Sequence, residues 1–284
     1  MLNTSHLSYC KERVRQFDQD RYLTALFAPE EIRQGLYALY AFNLEIARIP
    51  EISTESLVGQ IRLEWWREAI ATAYEKGTPP EHAVARPLAE TIRAHGLTQA
   101  HFDRLLEARL FDQERRPPVS LDELETYAEA TSSSLVQLAL EMLGVRDNAA
   151  AATAARAIGV AWALIGLLRA VPFHGSADRV YLPRDLMREG GVTVRQIRSR
   201  KTTAGLEAIA KTLADEARAG LRLARDLAPS VPEAALPALL LGTLADGHLR
   251  ALEKAGYDLF DARVQRPPAF REFRLWLRAR RGNY

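Results

Sequence analysis

Over residues 36–51 the chain reads Leu-Tyr-Ala-Leu-Tyr-Ala-Phe-Asn-Leu-Glu-Ile-Ala-Arg-Ile-Pro-Glu. Apolar side chains at Leu36, Leu39, Tyr40, Phe42, Ile46 and Ala47 recur at helical spacing, which predicts a buried helix that Pro50 ends. Pro29-Glu30-Glu31 opens it, with proline and acids in the first turn, where unpaired N–H groups favour them. The rest of the chain offers helices to cover it. Helical patterns run nearly end to end, and no convincing strand alternation interrupts them. An all-α fold is therefore expected. The 284 residues, 48% of them hydrophobic, suffice for one large core or two small ones.

Thr4 or Ser5 is expected to cap a first helix carrying Leu7, Cys10, Val14 and Phe17, with a short element at 21–27 after it. Ser53 or Thr54 starts the next helix, which runs through Ile61, Trp65, Ala69 and Tyr74 to the stop at Gly77-Thr78-Pro79-Pro80; Trp65 and Trp66 read as packing residues. Helices at 81–95 and 98–113 are separated by Gly96. His95 and His101 straddle that break with nothing else at ligand spacing, so no metal is assigned to them. Ser120 and Glu123 make a capping-box pattern that opens a helix reaching Gly144. Asp147 or Asn148 begins an Ala-rich helix through Ile158, Trp162, Ile165 and Leu168 that is expected to stop at Pro172. Past Gly190-Gly191 come helices at about 203–228 and 234–255, and then a basic terminal helix at about 268–281. No repeat or linker divides the chain, so a single domain over 1–284 is expected.

The net charge of +2 supplies no field that would draw nucleic acid, and with only five lysines the arginine-rich balance reads as compositional bias. The single cysteine, Cys10, excludes an intrachain disulfide and fits a reducing compartment. No run approaches the roughly eighteen apolar residues that span a bilayer. Residues 1–29 lack an apolar block with a cleavage site and carry Glu12, Asp18 and Asp20, so a cytoplasmic protein, or the mature form of an organellar one, is expected.

Tyr40-Ala41-Phe42 and the residues after it resemble the first signature of the squalene/phytoene synthase family, where Tyr-Ala-Phe leads to three aspartates that hold Mg²⁺. Those aspartate positions fall here on Ala47, Arg48 and Glu51. Tyr127 and the small residues behind it resemble a second family signature, with its two glycine positions on Ser133 and Val136. Arg179-Val180-Tyr181-Leu182-Pro183 is similar to the family's Arg-x-Tyr-Leu-Pro. Counting back from it, the second aspartate pair falls on Ala170 and His174. The resemblance covers nearly all of residues 5–260. It implies a single-domain isoprenoid-synthase-type helical fold around a central cavity.

Prenyl coupling in that family begins by ionising an allylic diphosphate, whose charge Mg²⁺ neutralises through carboxylate ligands. Aspartates at i and i+4 share a helix face, so each motif presents a pair. Here Ala47 and Ala170 cannot ligate, Arg48 brings a permanent cation, Glu51 lies beyond Pro50, and His174 is a poor Mg²⁺ ligand. The expectation is lost catalysis, with no metal and no cofactor. Segments 42–47, 127–135 and 168–175 resemble the branch of the family that contains the mitochondrial respiratory complex I assembly factor 6 and lacks the aspartate motifs. That resemblance implies a non-catalytic role in assembling respiratory NADH:quinone oxidoreductase, with complex I subunits or assembly factors as partners, peripheral to a membrane. The competing reading is an active Mg²⁺-dependent transferase acting on farnesyl or geranylgeranyl diphosphate. A lipid held in the cavity is compatible with the first reading.

By position, Tyr40, Asn43, Glu45, Arg48, Tyr127, Arg169, His174, Arg179 and Tyr181 are the pocket candidates, each with a satisfied core or rim polar group as its alternative. Arg48, Arg169 and Arg179 are expected to draw an anion to the cavity mouth. In the terminal helix Phe270, Phe273 and Leu277 share one face with Trp276 at its edge, beside a stripe of Arg271, Arg274, Arg278 and Arg281. Such a helix either docks on the core or serves as a membrane-surface or partner-binding element, its arginines meeting anionic headgroups in the membrane case.

Overall fold

A computed structural model describes residues 4–53 and 55–284. The side chains of Thr4, Ser5 and Thr54, offered above as helix caps, lie outside the described residues. Among the described residues the regular structure is helical, with no strand. The buried side chains form one continuous hydrophobic cluster.

Helices α1 (Thr4–Phe17) and α2 (Gln19–Ala25) pack on α3 (Glu30–Ala47). Every residue of α3 from Gly35 to Asn43 is buried, the outcome that apolar side chains on all faces demand. Pro50 does not end this helix. The chain leaves α3 at Ala47, turns on Arg48, and re-enters a short α4 (Ile49–Ile52) with Pro50 in its first turn, where a missing N–H costs nothing. Ala47, Arg48 and Glu51 therefore straddle a helix junction. Cys10 is buried in α1, and burial pushes its thiol up to about 12, so it is chemically quiet.

Helix α5 (Ser56–Tyr74) packs against α6 (Ala85–His95) and α7 (Gln99–Glu114). Its buried line is Leu63, Trp66, Ile70 and Ala73, and Ile61 and Trp65 stay exposed although the periodicity had placed them on the packed face. Trp66 enters the core edge-on to Phe42, with ring centroids 5.1 Å apart.

Helix α8 (Leu121–Ala128) runs through a π-helical turn (Glu129–Ser133) into α9 (Ser134–Met142). The Ser120 hydroxyl accepts the Glu123 N–H at 3.3 Å, but the Glu123 carboxylate turns to Arg116 and the Val119 N–H, so only half of the capping box forms. The π turn presses on α10 (Ala149–Ser176): a Cβ at Gly159 would lie 2.5 Å from the Ser133 Cα, and this contact requires glycine. Asn148 caps α10 by accepting the Ala151 N–H at 2.7 Å.

Pro172 does not stop α10. Near the end of the helix proline forfeits one hydrogen bond, and the helix continues to Ser176. Ala170 and His174 thus remain one turn apart on a helix. Contrary to the sequence expectation, α10 is long and apolar enough to cross a bilayer, but 56% of its most apolar eighteen-residue stretch is buried. It is the central core helix, covered by α9, by α13 (Ala204–Asp226) and by α15 (Leu241–Lys254).

Two short helices that the sequence did not signal, α11 (Arg184–Glu189) and α12 (Val194–Arg198), fill the stretch after the Tyr181 loop. The expected helix at 234–255 is broken into a 3₁₀ turn, α14 (Leu236–Leu239) and α15, with Pro237 at the start of α14. The chain closes with α16 (Ala262–Gln265) and α17 (Arg271–Arg280). Helix α17 docks through Arg271 and Leu275 and turns Phe273 and Trp276 outward, with Phe270 exposed just before it. The aromatic face is thus the free one, and the basic stripe is partly buried. Arg271 donates to Asp20 of α2 at 2.9 Å and to Gln19 at 2.5 Å.

Candidate functional site: a cleft at the paired helix ends

A cleft of about 530 Å³ opens where α3 and α10 end. Ala47, Pro50 and Glu51 line one side of it, and Leu167, Phe173 and His174 another. The C-terminal part of α7 adds Arg109 and Asp112, and its cap adds Arg115; α8 adds Tyr127; the loop before α11 adds Arg179 and Tyr181.

Asp112 organises the floor. It is buried, and its Oδ1 accepts the hydroxyl protons of Tyr127 and Tyr181, each at 2.8 Å. Arg109 Nη1 lies 3.2 Å from Asp112 Oδ2 and donates to the Tyr127 hydroxyl at 2.8 Å. Burial, with the Asp112 charge beside them, holds both tyrosine hydroxyls well above their ordinary range, so at neutral pH they stay donors. A charge removed from water is tolerated only when it is paired and hydrogen-bonded, as here.

His174 packs against Tyr181 with ring centroids 4.7 Å apart and planes tilted by 49°. Burial lowers its pKa to about 4; the nearby Arg179 acts in the same direction and the Asp112 charge opposes it. The imidazole is therefore neutral at physiological pH, and its Nδ1 is buried without a partner. Arg179 donates from Nη2 to the Pro50 carbonyl at 2.5 Å, tying the loop after α10 directly to α4.

These residues do not fit Mg²⁺. An octahedral Mg²⁺ needs oxygen ligands, several of them from carboxylates or water. At the positions in question stand two alanines, an arginine, a histidine and Glu51, whose carboxylate faces Arg48 at 3.5 Å. The nearest other acid on the floor, Asp112, is engaged by two tyrosines and Arg109. Among the described residues no group of three His, Cys, Asp or Glu side chains is placed to hold a metal. His101 faces Glu141 at 3.9 Å.

Of the sequence candidates, Tyr127, His174, Arg179 and Tyr181 meet in the cleft. Tyr40 and Asn43 are buried within α3, with the Arg21 guanidinium 5.9 Å from the Tyr40 ring centroid. Glu45 pairs with Arg13 at 3.3 Å and lines a separate hollow beside Trp65. Arg48 stacks over Phe17 at 4.8 Å. Arg169 is not at the mouth: it donates to the Val264 carbonyl at 3.4 Å and lies near Asp20, which holds Arg271 and faces His248 at 3.6 Å. Sequence reading missed Arg109 and Asp112. The signal was there, because both continue the buried line of Phe102, Leu105 and Leu106 on α7, where polar residues at core spacing call for partners.

Fold and cleft together define an all-α protein of the isoprenoid-synthase type. The squalene/phytoene synthase model matches residues 14–270, and the chain belongs to that family, in the branch that holds the complex I assembly factor 6 proteins. The Bos taurus protein named "NADH dehydrogenase (ubiquinone) complex I, assembly factor 6" is 33% identical over 276 residues, covering 97% of this chain and 82% of that one. Phytoene synthase of Thermus thermophilus is 30% identical over 208 residues, 70% of this chain and 66% of that one. A solved dehydrosqualene synthase in complex with ligand superposes with a TM-score of 0.83 over 97% of this chain and 95% of its own, at 21% identity, and so shares the fold.

Proposed function

We propose that this protein is a non-catalytic member of its family that assists assembly of respiratory NADH:quinone oxidoreductase, with subunits or other assembly factors of that complex as its partners. The observation that carries this reading is the floor of the cleft. Where catalysis by this fold calls for metal-binding carboxylates on two facing helix ends, Ala47, Arg48, Ala170 and His174 supply none, the one remaining carboxylate, Glu51, faces Arg48 at 3.5 Å, and Arg179 ties the loop after α10 to α4. The names of the relatives similar to nearly the whole chain support the assembly role.

The same reading places the protein in the cytoplasm, peripheral on the inner face of the cytoplasmic membrane. The exposed Phe270, Phe273 and Trp276, with the Arg280 guanidinium 5.4 Å from the Trp276 ring, form a surface suited to an anionic bilayer. The cleft is large enough to admit part of a lipid.

The test removes the gene and resolves membrane complexes on native gels. Assembled NADH:quinone oxidoreductase should be lost and should return with the full chain. Normal assembly, together with chelator-sensitive release of diphosphate from farnesyl or geranylgeranyl diphosphate by the purified protein, would instead assign the transferase.

A further inference from the structure

Helix α5 buries one side and leaves an apolar stripe on another. Leu57 is 66% exposed and Ile61 59%, with Val58 and Trp65 beside them and Ile52 of α4 adjoining. At about 100° per residue these four α5 positions fall within roughly a third of the helix circumference, next to the buried line. The stripe borders a hollow of about 230 Å³ whose walls include Glu45, Ile49, Ile52, Trp65 and His82. Trp65 is held edge-on against buried Trp66 at 5.0 Å and against His82 at 5.3 Å, so it is a rigid half-exposed anchor that loses little entropy on contact. Nothing in the fold calls for apolar residues at these exposed positions, and an apolar face rimmed by charges marks an interaction site.

The charges select the occupant. From residue 45 to residue 68 five acids, Glu45, Glu51, Glu55, Glu64 and Glu68, stand against Arg48, Arg62 and Arg67, in a chain whose total charge is +2. Glu45 pairs with Arg13 at 3.3 Å, Arg48 faces Glu51 at 3.5 Å, and Arg67 is shared between Glu64 and Glu107; among the described residues this leaves Glu55 and Glu68 without an ion-pair partner, against Arg62 as the one unpaired arginine of the segment. An anionic bilayer would be repelled, and a second copy would set acids against acids. We propose that this stripe is the docking face for an amphipathic helix of a partner protein. That helix would place apolar residues at i, i+3/i+4 and i+7 along Leu57, Ile61 and Trp65, and Lys or Arg beside Glu55 and Glu68. The proposal rests on the assembly reading for the partner's identity. Its recognition chemistry comes from the stripe and its rim.

The experiment replaces Ile61 with the photo-crosslinker benzoylphenylalanine in the full chain, in its own cells, and sequences the cross-linked peptide by mass spectrometry. A probe at exposed Lys211 is the control. The expected result is one segment of another protein, amphipathic at helical spacing with Lys or Arg on its flank, and a yield that drops at least five-fold when Glu55→Lys and Glu68→Lys are combined. Cross-links to this chain itself, to lipid, to an acidic segment, to the same segments as the Lys211 control, or to nothing overturn the proposal, as does a yield indifferent to the charge reversal. The same double variant enters the assembly assay. Unimpaired assembly there, where gene loss abolishes it, overturns the docking face and spares the assembly reading. If gene loss itself spares assembly, that reading falls, and the identity of the cross-linked segment alone decides the docking face.

Discussion

Asp112 holds the cleft floor through two tyrosine hydroxyls and one guanidinium, and none of the three has another acid to turn to in the cleft except Glu51 at its edge. Asp112→Ala should therefore lower unfolding stability by about 3–5 kcal/mol, because it strands a buried arginine. Tyr181→Phe, which removes one donor and leaves the charge pair, should cost only about 1 kcal/mol. Urea unfolding midpoints at constant slope measure both; a loss below about 1 kcal/mol for Asp112→Ala would contradict this account.

His174 gives a pH dependence with a defined sign. Its folded pKa of about 4 lies below the roughly 6.5 of an unfolded histidine. Between those values the unfolded chain binds the extra proton. The stabilisation is present in full above about pH 6.5 and is lost as pH falls toward 4. The half-buried site reduces the effect to roughly 2 kcal/mol. His174→Leu should remove this part of the acid sensitivity. Because carboxylates titrate in the same range, the quantity to plot is the difference in stability between the wild type and the variant at each pH, and a flat difference would refute the assignment.

At the scale of elements, α17 combines two jobs on two faces. Its inner face, Arg271 and Leu275, belongs to the fold: Arg271 is buried against Asp20, which also faces His248 on α15. A truncation after Val264 would remove that pair and expose core, so loss of membrane binding by such a chain would carry no information. Phe273→Ser with Trp276→Ser changes only the outer face. Each exposed aromatic that inserts contributes about 1.5–3 kcal/mol, so the double variant should partition onto anionic vesicles at least ten-fold more weakly at unchanged helicity. Equal sedimentation of variant and wild type at low ionic strength would leave α17 a docked terminal helix alone.

For the molecule as a whole, the expectation is that the retained fold no longer assembles a metal centre. Titration calorimetry should give no saturable Mg²⁺ heat at millimolar concentration for the natural chain. Ala47→Asp, Arg48→Asp, Ala170→Asp and His174→Asp together should restore saturable binding, because they return carboxylates to both helix ends. The restored chain should also be less stable, with His174→Asp bringing a second carboxylate toward Asp112. Tight Mg²⁺ binding by the natural chain would overturn the reading of the cleft.

The helical class of the fold, and the missing carboxylates at the ligand positions, could be read from the residues in order. Helical periodicity is a local property, and an alanine or arginine at a ligand position is decisive wherever its backbone goes. Buried α3 and a cap at Asp147 or Asn148 were legible for the same reason, and Tyr127, His174, Arg179 and Tyr181 were pointed to by their places in the family's motifs. Only the tertiary structure decided the rest. Pro50 begins a helix because its missing N–H falls in a first turn, where none is needed, and Pro172 fails to end one because the packing of neighbouring helices outweighs a single lost hydrogen bond. Trp66 is core while Trp65 is surface because packing, which settles a helix's rotation, chose a line one residue away from the periodic one. Arg169 leaves the mouth, and Asp112, distant in sequence from Tyr181, becomes the centre of the cleft. A polar side chain on an apolar helix announces that it needs partners; which partners it finds depends on helices that meet only when the chain has folded.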